Sequence, residues 1–152
     1  MGKTLIVCIG NDLAADDGVG HAVYRALVQK DLPAGTRMTL LGVGGIDLLE
    51  EIEGEDRLVV VDAVRLGALP GTVHILGWEQ LPSIGSRPVS GHGIGIREAI
   101  EVGRRLYPDK TPRQVYLVGI EGKCFDRLGA DLSDEVVRSV ETATVQILHL
   151  LH

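Results

Sequence analysis

Leu5-Ile6-Val7-Cys8-Ile9-Gly10-Asn11-Asp12-Leu13-Ala14-Ala15-Asp16-Asp17-Gly18-Val19-Gly20 is the stretch that decides the fold of this chain. The apolar run Leu5 to Ile9, rich in branched side chains, predicts a strand covered on both faces. The glycines, Asn11 and the acids that follow predict a turn at its end. Val19, Ala22, Val23, Ala26 and Leu27 recur at spacings of three and four, so a helix follows the turn. Strand, turn and helix in that order open an α/β sheet, which collects its chemistry at the carboxyl ends of its strands. Asp16 and Asp17 stand in that turn. Adjacent carboxylates are costly to desolvate unless a bound cation or a basic side chain stands between them and a partner.

The rest of the chain repeats the alternation. Arg37 to Val43 reads as a strand and Ile46 to Ile52 as a short helix. Leu58-Val59-Val60-Val61 is the strongest strand signal and ends at Asp62. Gly71 to Leu76 is a further strand, introduced by Leu69-Pro70-Gly71. Gly77 to Ser90 reads as a long loop, a lid over the site, and Gly93 to Leu106 as a helix. Gln114 to Ile120 is the last strand, and Ser133 caps a terminal helix whose first turn holds Asp134 and Glu135. Strands alternating with helices give a mostly parallel sheet with helices on both faces, an α/β three-layer sandwich, in a single domain over residues 1–152.

Composition narrows the function. The 152 residues suffice for one sizeable core, and 45% hydrophobic with 24% charged residues suits a soluble domain. A net charge of -6 argues against nucleic acid, whose phosphates need clustered Lys and Arg. No apolar run reaches the roughly 20 residues of a membrane span, and the amino-terminal apolar segment is too short for a signal peptide. Cys8 falls in a strand and Cys124 in a loop, so no disulfide is implied and the expected address is cytoplasmic.

Parallel strands put their carboxyl ends on one edge, and that edge receives Asp17, Asp62 and, just before a helix, His92. Two carboxylates and an imidazole suit a divalent metal of borderline softness such as zinc or nickel, with positions left open for water or substrate. Each residue alone has a plainer use: Asp17 as a helix cap, Asp62 as a turn former, His92 as a loop residue between glycines. Their joint placement on one edge favours the metal. His21, His74, His149 and His152 read as structural or surface residues, and Cys124, near Glu121 and Asp126, as a free thiol. Gly10 to Gly20 fits neither the dinucleotide fingerprint nor the Gly-Lys-Ser/Thr phosphate loop, and its acids would repel a phosphate. Glu50, Glu51, Glu53, Glu55 and Asp56 read as a solvated acidic face.

These residues resemble the hydrogenase maturation endopeptidases, which remove a C-terminal peptide from the large subunit of nickel-iron hydrogenases. The family's opening motif, Gly-Asn-x-Leu-x-x-Asp-Asp/Glu-Gly-x-Gly, is met from Gly10 to Gly20. Its strand-end Asp is matched by Asp62, its Ser-x-His by Ser90-Gly91-His92, and its late segment by Gly119-Ile120-Glu121 and Leu132-Ser133. The resemblance implies a twisted, five-stranded, mostly parallel sheet flanked by helices, with Asp17, Asp62 and His92 as the metal-contacting residues. It also implies that nickel comes with the precursor as the recognition element, Asp16 serving as a supporting or capping group. Two departures stand out: Leu40-Leu41-Gly42-Val43 where many members have Asp-Gly-Gly-Thr, and Gly122 where many have Pro after Gly-Ile-Glu. The partner expected is a large-subunit precursor met by a monomer. Two other readings stay open: a metallohydrolase that holds its own metal, and a nickel-sensing binding protein without catalysis.

Overall fold

A computed structural model describes residues 2–11, 13–42, 45–82, 95–129 and 131–152. Five strands, β1 (Thr4–Ile9), β2 (Thr36–Leu41), β3 (Arg57–Val64), β4 (Val73–Gly77) and β5 (Gln114–Glu121), form one sheet in the order β2-β1-β3-β5-β4. All neighbours are parallel except β4, which runs antiparallel to β5 at the edge. Among the described residues three α-helices, α1 (Val19–Val28), α2 (Ile96–Leu106) and α3 (Asp134–Leu151), flank the sheet. Where a short helix is expected over Ile46 to Ile52, a 3₁₀ helix spans Gly45–Glu50, and Ala15–Gly18 is another.

The strands are apolar on both sides because both sides are covered. Ile6, Cys8, Val59 and Val61 pack with Val19, Val23, Val136 and Ile147 of α1 and α3. Leu5, Val7, Ile9, Leu58 and Val60 face the other way, onto Leu48, Ile52, Ile96 and Ile100. The alternation follows the two-residue period of a strand and yields two cores separated by the sheet.

The order also fixes where the site lies. From β1 the chain passes to β2 on one side and then to β3 on the other, so β1 and β3 flank the switch point where an open sheet leaves a crevice. β3 is longer than its apolar run suggests. It passes Asp62 and continues to Val64, paired with β5 as far as Glu121 but with β1 only as far as Val61. Asp62 is therefore a strand residue at the point where β1 has left the ladder, not a turn residue. Likewise β4 runs to Gly77 and a 3₁₀ turn occupies Trp78–Gln80, where the sequence suggests loop; from residue 83 on, the lid expected over Gly77 to Gly91 lies outside the described residues.

Candidate active site

Two glycines of the opening motif have a steric reason to be there. A Cβ on Gly20 would strike the carbonyl of Ile9, so this residue lets α1 lie directly on the end of β1. A Cβ on Gly10 would strike the carbonyl of Asp17, so the turn can fold back against its own start. The returning chain is held by Asn11 N–H donating to the Asp17 carbonyl at 3.2 Å and by His21 Nε2, 2.8 Å from the Gly10 carbonyl. That carbonyl can only accept, so Nε2 carries the proton. Asn11 Oδ1 accepts from Leu13 N–H at 3.0 Å and closes the turn from inside.

Asp16 and Asp17 then part company. Asp16 is fully buried and points away from the crevice into the segment between β5 and α3. Its carboxylate accepts from the amides of Lys123 at 2.7 Å, Cys124 at 2.9 Å and Ser133 at 2.7 Å, and from the Ser133 hydroxyl at 3.0 Å. Asp16 N–H in turn donates to the Cys124 carbonyl at 2.9 Å. Ser133 does occupy the N-cap of α3, but its hydroxyl serves Asp16 and not the helix amides. Asp16 thus ties the first turn of the chain to a segment more than a hundred residues later.

Asp17 belongs to the 3₁₀ turn that packs on β3, and it is 6% exposed; Asp62, on β3 itself, is 2% exposed. Asn11 N–H approaches Asp17 Oδ2 at 3.3 Å, and Ala63 N–H donates to Asp62 Oδ1 at 2.8 Å. By strand alternation Asp62 shares the face of Val60 and Val64, the face on which α2 packs. The structure therefore brings two of the three expected residues to one edge, at the switch point between β1 and β3. His92, with Ser90, Gly91 and Val43 of the other quoted motifs, lies outside the described residues. Among the described residues no group of three or more metal-ligating side chains comes together. Asp17 and Asp62 nevertheless fit a divalent cation: both are hard oxygen donors, both are buried, and ion binding offsets the cost of burying such charges.

Other side chains sort themselves around this pair. Burial pushes the Cys8 thiol up to about 12, so it supplies no thiolate at neutral pH. Cys124 is a free thiol whose Sγ lies 3.6 Å from Asp126 Oδ1. A brace that sequence reasoning passed over involves His74 and Glu121. Glu121 is buried and accepts from Leu66 N–H at 3.1 and 3.0 Å, while His74 Nε2 lies 3.1 Å from Glu121 Oε1. His74 pairs with Gly119 and Gly119 with Asp62, so the three form one row across the sheet and the brace fixes the exit of β3 beside Asp62. No local sequence signal marks it, because its members come from three different segments.

The acidic run also needs correcting. Glu55 is buried, not solvated, and its carboxylate receives Arg37 Nη2 at 2.7 Å and Glu53 N–H at 2.7 Å. Burial would raise this carboxyl, but the Glu53 amide and the Arg37 guanidinium outweigh it and hold it below its ordinary value.

Comparison with known proteins agrees with this architecture. Residues 24–150 match the model of the hydrogenase maturation protease family. The "Hydrogenase 2 maturation protease" of Escherichia coli is 28% identical over 152 residues, covering 98% of this chain and 90% of that protein. The "Hydrogenase expression/formation protein HoxM" of Azotobacter vinelandii is 30% identical over 149 residues, covering 97% of this chain and 71% of the relative. Among solved structures, the hydrogenase maturating endopeptidase HybD from E. coli superposes with a TM-score of 0.84 at 27% identity, covering 98% and 91% of the two chains. The [NiFe] hydrogenase maturation protease HybD from Thermococcus kodakarensis superposes with a TM-score of 0.77 at 29% identity, covering 99% of each.

Proposed function

The chain belongs to the hydrogenase maturation protease family, and from that premise we propose that it removes the C-terminal extension of a nickel-loaded hydrogenase large-subunit precursor. It is a hydrogenase maturation endopeptidase; the nickel dependence and the residues that carry it are our reading. The observation that carries this reading is the pair of buried carboxylates, Asp17 and Asp62, at the switch point between β1 and β3. They and the imidazole of His92 are the donors offered to nickel that arrives in the precursor.

The chemistry divides between the two proteins. The precursor brings the metal and the scissile bond. This chain brings oxygen donors fixed on a strand and on a rigid turn, so that a precursor without metal has nothing to hold it in register. Shared ligation converts the encounter into a positioned, effectively intramolecular arrangement, and proximity of this kind lowers a barrier by several kcal/mol. Among the described residues no helix is long and apolar enough to cross a membrane. We propose that the protein works as a monomer in the cytoplasm, where its precursor is assembled.

The test is the mass of a purified large-subunit precursor after incubation with this protein, with nickel present in or absent from the precursor. Loss of a C-terminal peptide only from the loaded precursor is the expected result. Equal cleavage of the metal-free precursor would overturn the nickel checkpoint, and stable association with loaded precursor without any mass change would make the protein a nickel-sensing binder.

A further inference from the structure

The imidazole of His74 and the carboxylate of Glu121 share a face of the sheet with Asp62. In β4, Val73 and Ile75 pack with α1 and α3 while Leu76 packs with α2, so His74 falls on the α2 face by alternation. In β5, Val118 and Ile120 belong to the first of these cores and Leu117 to the second, which places Gly119 and Glu121 on the α2 face too. His74, Gly119 and Asp62 stand opposite one another in the ladder, so imidazole and carboxylate start two strand spacings apart, about 10 Å. Gly119 puts no side chain between them; Val64 covers it, and the floor of the row is apolar.

The bonding of the pair is that of a base and the group that aims it. Glu121 is 4% exposed and is already fixed by Leu66 N–H, at 3.1 and 3.0 Å. β4 is already fixed by its ladder to β5 from Val73 to Gly77. Neither needs an imidazole to stay in place. A carboxylate oxygen only accepts, so the 3.1 Å contact puts the proton on His74 Nε2 and leaves the lone pair on Nδ1. Among the described residues no hydrogen bond engages Nδ1, and the His74 side chain keeps 19% of its surface in solvent. A lone pair aimed by a buried carboxylate on a ring that solvent reaches is what proton abstraction from water requires.

We propose that His74 is the general base of peptide hydrolysis and that Glu121 is the residue that positions it. The assignment rests on the reading of this chain as a precursor endopeptidase, with the precursor's metal held at Asp17 and Asp62. A peptide that runs from its metal-ligating residue along the row brings a neighbouring bond over His74. There Nδ1 takes a proton from water as the water oxygen bonds to the carbonyl carbon. The tetrahedral intermediate then expels the peptide nitrogen, which takes that proton from Nδ1. One C–O bond forms, one C–N bond breaks, and the acid and amine leave with the imidazole neutral again.

The test separates a base from a brace. His74→Gln places an amide N–H where Nε2–H was, so the bond to Glu121 survives, but it offers no nitrogen that takes a proton. With nickel-loaded precursor, His74→Gln lowers kcat about a hundredfold, with KM, precursor binding and unfolding midpoint at wild-type values. Glu121→Gln lowers kcat about tenfold, and in the His74→Gln background it lowers it no further. His74→Ala, which leaves the space of the ring, regains cleavage as imidazole is added. Wild-type kcat in His74→Gln would overturn the assignment, because the brace is all that the amide preserves. So would a rise in KM alone, which makes His74 a contact for the precursor, or equal losses from Glu121→Gln with and without His74. A wild-type chain that binds loaded precursor without cutting it would instead overturn the endopeptidase reading, and the base with it.

Discussion

Asp16 and Asp17 are neighbours in sequence and opposites in use. Asp16 is enclosed by donors from the far end of the chain and holds two segments together. Asp17, next in the same short turn, is buried at the edge where β3 runs on past β1 to Asp62. The difference teaches that adjacent acids of one turn can serve separate parts of a fold. Asp16 makes the turn rigid by accepting from the amides of a distant segment, and that turn holds Asp17 at the carboxyl end of β1. The cost shows in Ala15, which precedes both and holds a φ of 49°, a left-handed conformation that residues with a Cβ rarely adopt. Asp16 over-determines that strained residue by anchoring the turn to Lys123, Cys124 and Ser133.

The contrast can be broken from either side. Asp62→Asn keeps the shape and the acceptor for Ala63 N–H but removes a charged oxygen donor. Precursor cleavage should fall about a thousandfold, roughly 4 kcal/mol of barrier, with an unfolding midpoint near that of wild type by calorimetry. Asp16→Ala should do the reverse. It removes the acceptor of the partly buried amides at positions 123, 124 and 133, and the expected loss is about 2 kcal/mol of stability, or roughly 6 °C in the midpoint.

A smaller effect separates the site from the acidic run beyond β2. The Glu55 carboxyl titrates below its ordinary value in the folded protein. The stabilisation it brings is therefore present above the unfolded value and is lost as pH falls through the folded one. Glu55→Gln should cost about 1 kcal/mol near neutral pH, discounted for the half-exposed Arg37 partner. Denaturant melts of the two proteins should converge in acid; a gap of constant size down to pH 3 would remove Glu55 from the account. The smallest effect concerns Ala15. Ala15→Gly relieves the left-handed strain but frees the unfolded chain, so a net gain of about 0.5 kcal/mol is expected. An unfolding midpoint below wild type would show that Ala15 is not strained.

Much of this was legible in the sequence, for reasons that can be stated. The strands announce themselves because a sheet covered on both faces leaves no polar position in Leu5 to Ile9 or Leu58 to Val61. Gly10 in the turn and Gly20 in α1 are glycines because the backbone passes too close for any side chain. Asp62 reads in the sequence as the end of its strand although β3 runs on to Val64, because apolarity, not pairing, marks a strand in sequence. What stayed hidden is long-range. Asp16 meets partners 107 to 117 residues away, which no local window can see. Glu55 hid inside an acidic run whose composition reads as solvated, and only its pairing with Arg37 on β2 explains its burial. His74 and Glu121 come together because β4 turns back antiparallel onto β5, a direction that hydrophobic pattern does not encode.

The most direct measurement puts Asp17→Asn beside Asp16→Asn and reads both precursor cleavage and unfolding midpoint on the same preparations. The account predicts a crossed result. Asp17→Asn stays folded to the wild-type midpoint and loses cleavage, whereas Asp16→Asn melts earlier yet still cleaves loaded precursor below its own transition. Wild-type cleavage by Asp17→Asn would contradict the assignment of that carboxylate to the site.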